Sequence, residues 1–161
     1  MPGARGVTVG RISIKAVAAA PLAVGFAFVD DYRTVPQWMF GVTGFTPVGE
    51  QERGLGAEYA VTMVLGPKTL RSKVRVTEWE QDELITLESY EGVRNTSSWR
   101  FTRVDDEHAE LSVEFTYDFG GGLAGKALGR IVEPFVQAAV AQTEKDLRRL
   151  VEQRYFAVQE D

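Results

Sequence analysis

Residues 57–76 read AEYAVTMVLGPKTLRSKVRV, and this stretch decides the fold. Its centre, Leu65-Gly66-Pro67-Lys68, can close a two-residue hairpin with Gly66 at a position that needs a positive φ. Pairing Leu65 with Lys68 fixes the register of both strands. One face then carries four nearly all-apolar pairs: Met63 with Leu70, Val61 with Ser72, Tyr59 with Val74, and Ala57 with Val76.

The opposite face of this predicted hairpin is polar. It pairs Thr62 with Arg71, Ala60 with Lys73, and Glu58 with Arg75. A slip of one residue would mix the two faces, because side chains alternate with a period of two. The pattern therefore predicts an antiparallel hairpin with one face on a core.

Two later hairpins extend the same apolar face. The turn at residues 80–83 predicts Trp79 opposite Leu84, Val76 opposite Leu87, and Val74 opposite Ser89. The turn at residues 105–108 predicts Phe101 opposite Val113, Trp99 opposite Phe115, and Ser97 opposite Tyr117. Three consecutive hairpins with a common apolar face indicate an antiparallel meander.

The remaining elements lie on either side of this meander. Four are predicted before it: a strand over Val7–Val17 with a bulge at Gly10, helices over Pro21–Asp31 and Val35–Val42, and a strand over Gly44–Gln51. After it, apolar residues recur at helical spacing: Leu128, Val132, Phe135, Ala139, Thr143, Leu147 and Leu150. Pro134 should kink this long helix or split off its first segment.

These elements predict an α+β fold in which a curved, seven-stranded antiparallel sheet surrounds a long C-terminal helix, with two short helices between strands 1 and 2. Seven strands span roughly 33 Å before the sheet curls, whereas one helix is about 10 Å thick. One helix cannot fill such a concave sheet. We therefore expect an apolar cavity of at least a few hundred Å³.

Composition narrows the function classes. The 161 residues predict a single domain over residues 1–161. A net charge of −5 argues against nucleic-acid binding. The chain has no cysteine and one histidine, His108, so we expect no metal site and no thiolate chemistry. No cofactor is predicted.

One apolar segment near the N-terminus, Ala16–Val29, superficially resembles a signal peptide. It is too short to span a bilayer, and Pro21 and Gly25 interrupt it. A strand followed by a helix explains the same residues. We therefore predict a cytoplasmic protein without stable membrane insertion; the oligomeric state stays open.

Two stretches carry a family resemblance over essentially the whole chain. They are Ala20-Pro21 through Phe26, Asp30 and Tyr32 to Pro36 and Trp38, and Ser98-Trp99-Arg100-Phe101-Thr102 before an acidic turn. With the strand Leu111–Tyr117 and the glycine-rich entry to the long helix, they resemble the START-like, or SRPBCC, superfamily, in its bacterial polyketide-cyclase and lipid-transport branch. The resemblance implies the helix-grip fold of the birch-pollen allergen relatives, with a cavity for lipids, isoprenoids or polyketides.

The inner faces and the resemblance together give a set of candidate cavity residues. They are Trp38, Met39, Tyr59, Val61, Met63, Ser72, Val74, Leu87, Ser89, Trp99, Phe101, Phe115, Tyr117 and Phe135. Trp38 could instead anchor its short helix to the sheet, and the polar members could satisfy one another. Arg71, Lys73 and Arg75 form a basic stripe, which we interpret as a solvated outer face.

Three functions follow, in order of preference. The first is binding or carriage of a small hydrophobic molecule. The second is a polyketide cyclase or dehydratase, which is disfavoured because acid–base chemistry needs a titratable group beside the substrate and the inner strands offer few. No catalytic residue is predicted. The third is a protein-interaction module.

Overall fold

A computed structural model describes residues 9–160 of the chain, except for the side chains of Val9, Gln137 and Glu160. The strands are β1 (Val9–Ala18), β2 (Val42–Pro47), β3 (Glu58–Leu65), β4 (Lys68–Glu80), β5 (Leu84–Gly92), β6 (Arg94–Asp105) and β7 (His108–Asp118). The helices are α1 (Leu22–Asp30), α2 (Val35–Trp38) and α3 (Gly122–Glu160), with a 3-10 turn at Tyr32–Thr34. Val7, in the predicted first strand, lies outside the described residues.

The strands form one curled antiparallel sheet in the order β1-β7-β6-β5-β4-β3-β2. Consecutive strands from β2 to β7 are neighbours, and β1 pairs with β7 across the chain. Helix α3 packs on β1 and on the two short helices. The predicted seven-stranded helix-grip architecture is confirmed.

The β3–β4 hairpin has the predicted register throughout. Leu65 pairs with Lys68, Val61 with Ser72, and Glu58 with Arg75, and Gly66 has a φ of 59°. The apolar face of this hairpin is therefore the inner one, as the residue pattern requires.

The β4–β5 hairpin departs from its predicted register near the turn. Trp79 pairs with Ile85, not Leu84, because the loop has three residues and Asp82 adopts a φ of 61°. An irregularity between Val76 and Glu78 then restores the predicted pairing of Val76 with Leu87. A bulge thus absorbs the extra residue.

The β6–β7 register was predicted wrongly by two residues. Phe101 pairs with Leu111 and Trp99 with Val113, not with Val113 and Phe115 as predicted. The loop closes at Asp105 and His108, and an irregularity follows between Arg103 and Asp105. A shift of two preserves each side chain's face, so the inner residues are still the predicted ones.

The predicted bulge at Gly10 is also wrong. The pairing of β1 with β7 runs without a break from Val9 to Ala18. A glycine is needed at position 10 for another reason: a Cβ there would lie 2.0 Å from Cζ of Tyr117. The Tyr117 ring covers the strand at this point.

Helix α3 is continuous through Pro134, so Pro134 does not divide it. Its direction follows from two contacts. The Phe135 ring lies on Gly66 in the β3–β4 turn, and Glu152 accepts a 2.8 Å hydrogen bond from the backbone N–H of Ala19, just after β1. Val132, Thr143 and Leu147 on the predicted stripe are buried.

Candidate ligand cavity

A cavity lies between the inner face of the sheet and α3. Its volume is about 110 Å³. This is smaller than the few hundred Å³ expected from the width of the sheet, because bulky side chains from the strands and from α3 fill part of the concave space. It also lies below the roughly 300–1,000 Å³ typical of small-molecule sites.

All seven strands of the sheet contribute side chains to the cavity wall, together with α3. Of the predicted residues, the structure places nine on this wall: Met39, Val61, Met63, Ser72, Val74, Leu87, Trp99, Phe115 and Tyr117. Eight of them come from strands β3 to β7, and Met39 follows α2. The alternation of side chains along the strands was sufficient to bring them together.

Two predicted residues support the wall from behind. Trp38 is fully buried and packs edge to face on Trp99, with ring centroids 5.4 Å apart. It therefore anchors its short helix to the sheet. Phe101 packs in the same way on Phe26 of α1, at 5.0 Å, and belongs to the core.

Three further predicted residues lie outside the cavity wall. The Tyr59 ring stacks on Phe45 at 4.6 Å, and its hydroxyl donates to the carbonyl of Glu52. Ser89 Oγ accepts a hydrogen bond from the backbone N–H of Asn95. Phe135 lies on the β3–β4 turn instead of facing inward.

The sequence argument missed several wall residues. On the sheet they include Ile12, Ile14, Phe45, Asn95 and Val113, and on α3 they include Val136, Ala139 and Val140. Asn95 could have been found, because it shares the inner face of β6 with Ser97 and Trp99 at a spacing of two. The α3 residues depend on how the helix is rotated, which the stripe does not fix closely.

Polar side chains on the wall are few and mostly neutral. Asn95 Nδ2 donates to Val93 O at 2.8 Å and to Ser72 Oγ at 3.3 Å. Thr143 Oγ1 accepts from the backbone N–H of Phe40 at 3.0 Å. These bonds satisfy the groups locally, so the cavity presents a largely apolar surface.

Tyr117 is the titratable side chain best placed to meet a ligand. Burial and the nearby Glu133 carboxylate both raise the pKa of its phenol, so the hydroxyl stays protonated at neutral pH. Within residues 9–160 this hydroxyl makes no hydrogen bond. It can therefore donate to a ligand oxygen.

Arg71 also borders the cavity. Its side chain is exposed, it pairs with Thr62 on the outer face, and its neighbours Leu70 and Ser72 face inward. We attribute the contact to its backbone. Elsewhere on the basic stripe, Arg75 pairs with Glu58 at 2.9 Å as predicted, and Lys73 pairs with Glu91 at 3.4 Å, a partner that was not predicted.

The described residues contain no group of three or more His, Asp or Glu side chains that could hold a metal ion. The indole N–H of Trp99 is buried and has no hydrogen-bond partner among them. Residues 9–160 also include no helix that is long and apolar enough to cross a bilayer.

Solved structures of the same architecture show how widely the fold is shared. TTHA0849 from Thermus thermophilus has a TM-score of 0.70 and 18% identity, covering 92% of this chain and 99% of that one. The Zhui aromatase/cyclase from Streptomyces sp. R1128 has a TM-score of 0.71 and 15% identity, covering 91% and 95%. A norcoclaurine synthase from Thalictrum flavum has a TM-score of 0.60 and 17% identity, covering 90% and 95%.

The fold and the apolar cavity together define a ligand-binding protein of the helix-grip class. Residues 10–152 match the family described as polyketide cyclase / dehydrase and lipid transport, and the chain belongs to that family. The predicted START-like membership is thus confirmed. Among curated proteins, no sequence matches this chain.

Proposed function

We propose that this protein binds or carries a small hydrophobic molecule, such as a lipid, an isoprenoid or a polyketide-like compound, in the cavity beneath α3. The observation that carries the proposal is the wall itself. It is formed by aliphatic and aromatic side chains, and most of its polar groups already have partners. Transfer of an apolar molecule from water to such a wall is favourable.

The wall also indicates which ligands fit. A cavity of about 110 Å³ admits a single ring or a short apolar chain as it stands, and a polycyclic ligand would need some of the wall side chains to move apart. Because no ion pair is formed with such a ligand, its affinity should hardly depend on salt. Ser97 and Tyr117 can orient a ligand that carries one or two neutral oxygens.

Binding without chemistry is favoured over catalysis. The family includes cyclases as well as binders, and the Zhui protein is an aromatase/cyclase. In this chain, Arg71 and Arg75 are exposed, and Tyr117 is held in its protonated form. A general base within reach of the ligand is therefore missing among the described cavity residues.

The test is titration of the purified protein with a fluorescent fatty acid and with a polycyclic probe. Ser72 lies on the wall, so Ser72→Phe should fill the cavity and weaken binding at least tenfold, or about 1.4 kcal/mol. Thr69→Phe, on the exposed side of the same strand, is the matched control and should bind like the wild type. The proposal fails if the wild type binds no member of a broad apolar panel.

The enzyme alternative has one specific residue to examine. If the protein cyclises or dehydrates a polyketide-like substrate, Tyr117 is the group placed to donate a proton. Tyr117→Phe would then abolish turnover of a poly-β-keto substrate while leaving apolar probe binding intact. Probe binding without turnover in the wild type supports the carrier function.

The cytoplasm remains the proposed location, because a chain without cysteine suits a reducing compartment. Cell fractionation with a tagged full-length protein tests this assignment. Recovery in the membrane-free lysate supports it, and recovery outside the cell contradicts it.

A further inference from the structure

Charge is distributed unevenly along the sheet. We call one end of the sheet the mouth end. It consists of the segment 39–41, the turns at 65–68 and 92–94, and the segment 118–122 that leads into α3. The antiparallel register places all four at the same end. Each contributes to the cavity wall, through Phe40, Leu65, Val93 and Phe119.

Five cations lie at the mouth end without an ion-pair partner among the described residues. They are Lys68 and Arg71 on β4, Arg94 at the start of β6, and Lys126 and Arg130 in the first turns of α3. Three carboxylates lie nearby. Glu91 pairs with Lys73, whereas Asp118, which accepts a hydrogen bond from the backbone N–H of Gly120, and Glu133, beside Tyr117, form no ion pair within residues 9–160. The unpaired cations therefore outnumber the unpaired carboxylates at this end by five to two.

The opposite end of the sheet is acidic. Its turns carry Glu50 and Glu52, then Glu80, Asp82 and Glu83, then Asp105, Asp106 and Glu107. Two of the arginines there are paired, Arg53 with Asp30 and Arg103 with Asp106, whereas Arg100 forms no ion pair within residues 9–160. Of the nine Lys and Arg side chains in residues 9–160 that form no ion pair, five lie at the mouth end, where the turns carry far fewer carboxylates than those at the opposite end.

Exposed apolar side chains accompany these cations. Leu123, in the first turn of α3, is 86% exposed, and Phe40 and Val64 are exposed beside the cavity. Dispersed cations around a few protruding apolar side chains are typical of surfaces that bind anionic bilayers peripherally. The acidic opposite end would be repelled, so only the mouth end can face such a surface.

We propose that the mouth end docks on an anionic lipid bilayer, which places the cavity where its ligand can enter from the membrane. This inference rests on the proposed function, because docking serves ligand transfer only if the cavity holds a hydrophobic molecule. Docking is peripheral and reversible: electrostatic attraction brings the mouth end to the surface, and Leu123 inserts shallowly among the headgroups.

The experiment compares sedimentation of the full chain with vesicles of phosphatidylcholine alone and vesicles of phosphatidylcholine mixed with phosphatidylglycerol. We expect binding to the anionic vesicles at low salt and its loss near 1 M salt, where screening shortens to about 3 Å. Each mouth cation should contribute about fivefold to the partition coefficient.

Two matched pairs of variants separate position from overall charge. Lys126→Glu with Arg130→Glu should weaken vesicle binding by at least roughly 25-fold. Arg100→Glu with Arg103→Glu changes the net charge equally on the other half of the sheet and should have a much smaller effect. Leu123→Ser should weaken binding by about tenfold, whereas Val104→Ser, which is 52% exposed at the opposite end, should not.

Circular dichroism establishes that each variant is folded, and binding of the soluble polycyclic probe is measured in parallel. The docking inference is overturned if the two charge-reversal pairs lose vesicle binding equally, or if the wild type does not bind anionic vesicles. In either case, binding of the probe would still support the carrier function. If the wild type does not bind the probe, the proposed function itself is overturned.

Discussion

The ring of Phe135 in α3 lies directly on Gly66 in the β3–β4 turn, where a Cβ would come within 2.2 Å of the ring. This contact joins the long helix to the tip of the hairpin that decides the fold. Glycine serves two purposes at position 66, because it also supplies a φ of 59°. The contact closes one side of the cavity's mouth end.

Phe135→Ala should therefore loosen the mouth more than it weakens the core. The ring is half-buried, so we expect a loss of about 1–2 kcal/mol in the free energy of unfolding. Phe26→Ala, at a position only 1% exposed, should cost about 3–5 kcal/mol. Chemical denaturation measures both losses, and stopped-flow release of a bound probe should be faster in Phe135→Ala. Equal losses of unfolding free energy in Phe135→Ala and Phe26→Ala would contradict the half-buried position of Phe135 on the β3–β4 turn.

The glycine at position 10 gives a second prediction. Gly10→Ala would force the Tyr117 ring away from the strand and disturb the cavity wall, at a cost of about 1 kcal/mol or more. Gly44→Ala is the control, because its nearest neighbour, Thr62, would be at an ordinary 3.5 Å. We expect probe affinity to change only in Gly10→Ala. The same affinity in both variants would show that Tyr117 does not contact the ligand.

The two packed tryptophans should respond differently to removal of their N–H groups. Trp38 Nε1 donates to Thr34 Oγ1 at 3.3 Å, whereas the Trp99 indole N–H has no partner in the described residues. Trp38→Phe should therefore cost about 1 kcal/mol more than Trp99→Phe, for the same loss of volume. Thermal or urea unfolding measures the difference. A larger loss for Trp99→Phe would indicate that its N–H is bonded in solution.

Stability in alkali should report on Tyr59. Burial, with Asp30 nearby, raises the pKa of its phenol to about 12, against about 10 in the unfolded chain. Because the folded state holds the proton more tightly, this contribution is complete below pH 10 and is lost as the pH rises through 12. The loss amounts to about 2–3 kcal/mol.

Tyr59→Phe provides the reference for that measurement. The difference in unfolding free energy between the wild type and Tyr59→Phe should shrink between pH 10 and 12. The other groups that titrate in alkali are present in both proteins, so their contributions cancel in this difference. A difference that stays constant over this interval would place the Tyr59 phenol in contact with solvent.

Local pattern was sufficient wherever a turn and an alternating strand agreed. The β3–β4 register follows from Gly66 and the period of two, and the structure has it without change. The β6–β7 register did not follow, because an extra residue between Arg103 and Asp105 is accommodated by an irregularity that alternation cannot reveal. A register shift of two residues leaves each side chain on the same face of the sheet but changes its cross-strand partner.

The sequence by itself determined the elements, their inner faces and the need for a cavity, because hydrophobic periodicity and sheet width are local or additive properties. Only the tertiary structure decided which inner residues meet open space. Trp38, Phe101 and Tyr59 share the apolar character of their neighbours, yet aromatic partners from other elements cover them. The concentration of unpaired cations at one end likewise depends on long-range pairing, since Lys68, Arg94 and Lys126 are distant in the chain and become neighbours only when the sheet closes.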